Sequence, residues 1–137
     1  MRNVVALVTG GSRGVGRGIA LALLAEGATV HVTGRTLSKA DEKRTGSLEE
    51  LENEAADLPG QILVHRCDHG KDADTERIAD RIRAGGRLDI LVNNAWPGYE
   101  NMVEDGEFTW PRPFWEQPVW RWDAMIGTAV RAAFMTS

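Results

Sequence analysis

Residues 4–8 read Val-Val-Ala-Leu-Val, and the chain runs directly from them into Thr9-Gly10-Gly11-Ser12-Arg13-Gly14-Val15-Gly16. Behind that stretch Ile19, Ala20, Leu23 and Leu24 recur at helical spacing within Arg17 to Ala25, and Gly27 follows as a stop signal. A near-continuous apolar run is what a strand buried on both faces carries. Strand, glycine turn and helix form a layout that can hold a phosphate. Glycine lets the backbone turn tightly and approach an anion, while the N–H groups and positive dipole end of the helix face it. The spacing, Gly10-x-x-x-Gly14-x-Gly16, departs from the common G-x-G-x-x-G fingerprint. A glycine cluster alone equally fits an ordinary strand–helix turn, so the rest of the chain has to decide between them.

The alternation continues. Ala28–Thr33 reads as a second strand, and Arg35 to Gly46 as a polar loop. Ser47-x-x-Glu50 is a capping box opening a helix whose apolar face is Leu48, Leu51, Ala55 and Leu58, closed by Pro59-Gly60. Gln61–His65 is a third strand. Asp72 or Asp74 is placed to cap a third helix carrying Ile78, Ala79 and Ile82, with Gly85-Gly86 after it, and Leu88–Val92 is a fourth strand. Helical crossovers between successive strands imply parallel pairing and right-handed connections, with helices on both faces. The expected fold is a Rossmann-type, doubly wound α/β/α sandwich, a single domain over 1–137, with strand order 3-2-1-4.

Beyond Val92 the composition shifts. Residues 96–122 contain Trp96, Trp110, Trp115, Trp120 and Trp122, which are all five tryptophans, and four of the five prolines. This reads as a long aromatic loop, a lid or wall over an apolar substrate or a packing surface. A final helical pattern runs from Trp122 to Met135.

The formal net charge of -4 leaves no basic patch to neutralise a nucleic-acid backbone. No apolar run approaches the ~20 residues that span a bilayer, and the N-terminus lacks the form of a secretory signal. Cys67 is alone, which excludes an internal disulfide and fits a reducing, cytoplasmic setting. His31, His65 and His69 do not make a metal-ligand spacing with Cys67, so no metal is expected.

In an open parallel sheet, ligands bind outside the carboxyl ends of the strands. Asn93-Asn94-Ala95 follows the fourth strand, where amide side chains can bridge neighbouring loops or simply form Asx turns. Asp68 follows the third and can accept from an adenine amino group or cap a turn. At the end of the second strand, where an NAD site expects an acid, the chain has Thr33-Gly34-Arg35-Thr36. Arg35 can pair with a 2′-phosphate, and Arg13 can add a second positive charge. Two arginines and no acid favour NADP(H) over NAD(H).

Thr-Gly-x-x-x-Gly-x-Gly at 9–16, Asp68, and Asn93-Asn94-Ala95 together resemble the short-chain dehydrogenase/reductase (SDR) family, over the whole of this chain but only the N-terminal half of a typical member. The loop sequence Phe114-Trp115-Glu116-x-Pro118 is similar to that of one subgroup. The resemblance implies that Gly10, Ser12, Arg13, Gly14, Val15 and Gly16 bind the cofactor phosphates. It implies further that Arg35 reads the 2′-phosphate, Asp68 the adenine, that Asn94 and Ala95 lie along the cofactor, and that Asn93 ties the strands together. The implied activity is NADP(H)-linked hydride transfer between carbonyl and alcohol in a small molecule.

The chain also departs from the family pattern. Trp96 stands where the family has a glycine, and Ala129 aligns with its proton-relay Asn. The family's catalytic Ser and Tyr-x-x-x-Lys have no counterpart: Tyr99 is the only tyrosine, Val103 follows it four residues on, and no lysine occurs after Lys71. The expectation is a cofactor-binding but catalytically incomplete fragment, truncated at its C-terminus. The other reading is a non-catalytic nucleotide-binding or assembly module, a homo-oligomer included, because the fourth strand leaves an open sheet edge.

Overall fold

The computed structural model describes residues 1–38 and 46–137, so most of the polar stretch expected as a loop, residues 39–45, lies outside the described residues. Four strands, β1 (Val5–Val8), β2 (Thr29–Gly34), β3 (Gln61–Arg66) and β4 (Ile90–Val92), pair in parallel in the order β3-β2-β1-β4. The crossovers are α1 (Gly14–Ala25), α2 (Leu48–Glu54) and α3 (Asp72–Ala84). This is the doubly wound arrangement expected.

Register decides which residues meet which helices. Ala6, Val30, Ile62 and Ile90 stand in one row across the sheet, and Leu7, His31, Leu63 and Leu91 in the next. Side chains alternate across a strand, so these rows face opposite layers. The first row and its repeat at Val8, Val32, Val64 and Val92 pack with Ala20 and Leu24 of α1 and with Leu48 and Leu51 of α2. The second face is thinner: Leu7, Leu91 and Cys67 meet Ile78 and Ile82 of α3. The same face carries two histidines, His31 and His65, stacked with centroids 5.2 Å apart and joined Nδ1 to Nε2 at 2.9 Å. Burial pushes the His65 pKa down to about 4, with the His31 and Arg81 charges adding to it.

The capping box forms, with Glu50 N donating to Ser47 Oγ at 3.1 Å and Ser47 N to Glu50 Oε2 at 3.1 Å. The cap expected from Asp72 or Asp74 does not. Lys71 holds the N-cap position of α3 without a side-chain bond. Asp74 instead accepts from Asp68 N at 2.9 Å, and Asp72 pairs with Arg131. Both acids remain in the first turn, where the helix dipole favours them, but their oxygens are spent on joining α3 to neighbouring segments.

The aromatic stretch is more ordered than a plain loop. Short turns at Gly98–Asn101 and Phe114–Glu116 flank a hairpin of β5 (Val103–Glu104) and β6 (Glu107–Phe108). Its tight turn is Asp105-Gly106, both at positive φ (48° and 85°), the combination a two-residue hairpin requires. The last helix starts at Val119, earlier than expected, because Pro118 sits at its N-cap with φ already at -70°. It runs as α4 (Val119–Ala124), a π-helical segment (Met125–Val130) and α5 (Arg131–Thr136). Among the described residues, no helix is long and apolar enough to cross a membrane.

Candidate functional site

The carboxyl ends of all four strands border one cleft of about 300 Å³. Gly10, Ser12, Arg13, Gly14 and Val15 line it from the turn between β1 and α1. Arg35 and Thr36 line it beyond β2, and Asp68, Asn94 and Ala95 beyond β3 and β4. Gly16 is buried just beneath. The residues nominated from the sequence are therefore brought together at one site.

The turn is held mainly by backbone and small side chains. Thr9 is its node: its hydroxyl donates to Val92 O at 3.3 Å and accepts from Asn94 N (3.0 Å) and Ala95 N (2.9 Å). Asn94 returns the connection, its Nδ2 donating to Thr9 O and Gly10 O, both at 2.9 Å. That proximity explains two glycines. A Cβ on Gly10 would sit 2.8 Å from Ala95 Cα, and one on Gly16 would overlap the Asn94 amide. Gly14 is different, with φ at +58° and open space where a Cβ would project, so the backbone itself forms the cleft wall. The first turn of α1 holds no acidic residue and receives no side-chain cap from Arg13, leaving N–H groups and a positive dipole end at the cleft.

The strand-tying role expected of Asn93 falls to Asn94. Asn93 points the other way along the alternating strand and meets the end of the last helix, Oδ1 accepting from Thr136 Oγ1 at 2.5 Å and Nδ2 donating to Ser137 Oγ at 3.2 Å. Asp68 curls into a turn, its Oδ1 accepting from Gly70 N at 3.0 Å. Arg13 spans to the far side of the cleft, donating to Thr36 Oγ1 at 3.0 Å and Gly46 O at 3.3 Å.

A buried polar chain that the sequence reading missed supports this wall. Gly10 N donates to Thr33 Oγ1 (3.3 Å), which pairs with His69 Nε2 (2.8 Å), while His69 Nδ1 pairs with Thr75 Oγ1 (3.0 Å) at the start of α3. Burial lowers the His69 pKa, and a neutral imidazole satisfies both partners by donating at one nitrogen and accepting at the other. Cys67 lies 3.6 Å from His69 Nε2, its thiol pushed up to about 12 by burial. It therefore stays protonated at neutral pH. Thr33 closes the second strand pattern and His69 follows the third, positions at which a polar residue could have been read as part of the ligand edge.

The opposite wall is aromatic. Trp96 and Pro97 line the cleft, with Thr128 reaching in from the π-helical segment next to Ala129. Behind them Arg121, although 3% exposed, holds the stretch together. It donates to Asn101 O at 2.6 Å, to Thr109 Oγ1 at 2.7 Å and to Gln117 Oε1, and stands 5.1 Å from the Trp120 ring and 5.9 Å from Trp110. Glu104 Oε2 lies 3.6 Å away as its counter-charge.

A glycine turn against a helix start, at the carboxyl edge of a 3-2-1-4 parallel sheet, defines a Rossmann-type α/β domain. Residues 4–137 match the model of the short chain dehydrogenase family, and the chain belongs to that family. It is 36% identical to human (Homo sapiens) dehydrogenase/reductase SDR family member 1, the alignment covering 100% of this chain and 41% of that protein. It is also 34% identical to NADPH-dependent aldehyde reductase 1, chloroplastic, of Arabidopsis thaliana, over 74% of this chain and 35% of that one. The crystal structure of a metagenomic short-chain oxidoreductase in complex with NADP superposes with a TM-score of 0.76 at 31% identity, covering 98% of this chain and 53% of that one. The chain thus spans under half the length of the curated relatives it matches.

Proposed function

We propose that this chain is the cofactor-binding part of an SDR oxidoreductase that uses NADP(H) in preference to NAD(H). Two features support a dinucleotide there: Gly14 presents bare backbone with open space before it, where a phosphate needs close approach, and the uncapped α1 start supplies N–H donors, while Gly10 and Gly16 let Ala95 and Asn94 pack behind the turn. Within it Gly10, Ser12, Gly14 and Val15 cradle the pyrophosphate, with Gly16 permitting the close packing beneath. Arg35 and Arg13 take the 2′-phosphate, Asp68 the adenine, and Asn94 and Ala95 follow the molecule past β4. When bound, the nicotinamide supplies or accepts the hydride exchanged with a carbonyl or alcohol. This chain's residues bind and orient, and they offer no Tyr–Lys pair for the proton, since Val103 stands four residues after Tyr99 and Lys71 is the last lysine.

The observation that carries the cofactor preference is the presence of Arg13 and Arg35 on the cleft wall beside the end of β2, with no acid in Thr33-Gly34-Arg35-Thr36, where β2 ends. Comparing NADPH and NADH affinity of the chain, with and without Arg35→Ala, tests it. We expect NADPH to bind more tightly and the substitution to erase most of the difference; tighter NADH binding would sink the assignment. A carbonyl-reduction assay on the same 137 residues should give no turnover, and steady-state turnover typical of a reductase would refute catalytic incompleteness.

A second reading, a non-catalytic assembly module, is favoured by one feature. Val119, Trp122, Val130 and Phe134 on the last helix are 56–78% exposed, beside an edge strand β4 paired only with β1 among the described residues. Such apolar faces mark association surfaces, and a concentration-dependent mass in sedimentation would support it.

A further inference from the structure

The strand order fixes which half of a dinucleotide meets which wall. Resting on the cofactor reading above, the 2′-phosphate end lies by Arg35 beyond β2 and the pyrophosphate at the glycine turn beyond β1. The remaining half must then extend toward β4, the next strand in the order β3-β2-β1-β4. Four residues past β4 stands Trp96, lining the cleft next to Ala95.

Trp96 is also held in place. Its ring lies so close over Gly98 that a Cβ there would overlap the indole. Trp110 meets it edge-on at 6.1 Å between centroids, and Trp110 in turn lies beside the buried Arg121. A large aromatic ring backed by backbone on one side and by an anchored aromatic on another presents a fixed apolar surface. Flat heteroaromatic rings stack on such surfaces, and a ring that need not be immobilised on binding spends little entropy doing so.

We infer that Trp96 is a cofactor-positioning wall that contacts the nicotinamide half of the dinucleotide and sets how tightly that half is held. A glycine there would leave that half without this contact. Trp96 therefore contributes to affinity for the whole cofactor but not for its adenosine end, and Gly98 is required because it makes room for the ring.

The test is calorimetric titration of the 137-residue chain with NADP⁺ and, separately, with adenosine 2′,5′-bisphosphate, which carries the adenosine end alone. The variants are Trp96→Gly, Gly98→Ala and Trp96→Phe, with Trp115→Ala as a control at a 72% exposed ring away from the cleft. Far-UV circular dichroism checks folding of each. Trp96→Gly and Gly98→Ala are each expected to weaken NADP⁺ by about tenfold, the scale of one aromatic stacking contact, and to leave the bisphosphate affinity unchanged. Trp96→Phe should retain most of the NADP⁺ affinity, and Trp115→Ala all of it. Equal NADP⁺ affinity in wild type and Trp96→Gly, or an equal loss on both ligands, overturns the inference alone. A wild-type chain that binds neither ligand overturns the cofactor reading and this inference with it.

Discussion

The two walls of the cleft are built on different principles. On the β1 side the parts are small: Thr9, Gly10, Gly16 and Asn94 are fixed by backbone hydrogen bonds and by the absence of side chains. An aliphatic layer of Val8, Val32, Leu24 and Leu51 backs them. On the far side the parts are large, and one guanidinium organises them, reaching Asn101, Thr109 and Gln117 while lying against Trp110 and Trp120. A wall made of backbone needs little more than close packing beneath it. A wall made of side chains depends on a buried charge staying satisfied, because each polar atom left without its partner costs free energy.

The strongest way to break the comparison is from below. Leu51→Ala empties a fully buried site under the cradle and is expected to cost about 2–5 kcal/mol of global stability, read by chemical denaturation. The aromatic wall should melt together with the sheet in that variant, since it has no aliphatic core of its own.

Arg121→Ala removes the guanidinium and leaves Glu104, whose Oε2 is buried without a hydrogen-bond partner among the described residues, with only the more distant Arg112 at 3.9 Å as counter-charge. A loss of about 3 kcal/mol is expected, the lower end for breaking a buried pair because Glu104 is partly exposed. The loss should be local. Near-UV circular dichroism from the tryptophans should collapse while the far-UV signal of the sheet persists. A uniform loss of both would show that the walls are one cooperative unit.

Asn94→Ala is smaller. It deletes two side-chain hydrogen bonds to Thr9 O and Gly10 O and should cost about 1–3 kcal/mol. Hydrogen exchange should rise first at Gly10 and Gly11 rather than in the aromatic segment.

The mildest probe is pH, and it acts on the α3 face of the sheet. His65 has an ordinary value of 6.5 and a folded value of about 4, so the unfolded chain takes up a proton that the folded chain refuses. Stability should be full above about 6.5, fall as pH drops toward about 4 and level off below. His31 and His69 are lowered as well and add to the same slope. His65→Gln should flatten part of that decline in a pH series of thermal melts. An unchanged slope would place the titration elsewhere.

How much could be read without the fold follows the same division. The strand runs, the capping box at Ser47 and Glu50 and the glycine turn are contiguous patterns, and local periodicity and backbone chemistry act over just those distances. Boundaries moved where a neighbour intervened, as where Pro118 opened the last helix early. The hairpin at Asp105-Gly106 was legible as turn chemistry but hidden by the aromatic residues around it.

By itself the sequence determined the order of elements, the parallel topology that follows from helical crossovers, and the gathering of Gly10, Gly14, Arg35, Asp68 and Asn94 at one sheet edge. Every parallel strand presents its carboxyl end to the same side, so residues placed there converge whatever the details. Tertiary structure alone decided that Asn94 rather than Asn93 ties the turn, that His69 is wired between Thr33 and Thr75, that Asp74 braces Asp68 instead of capping α3, and that Arg121 anchors the tryptophans. Those outcomes depend on which groups the packed elements bring together, from 6 residues apart at Asp68 and Asp74 to 85 at Thr9 and Asn94. A polar side chain takes whichever partner the packed elements bring within reach, and no pattern along the chain records that distance.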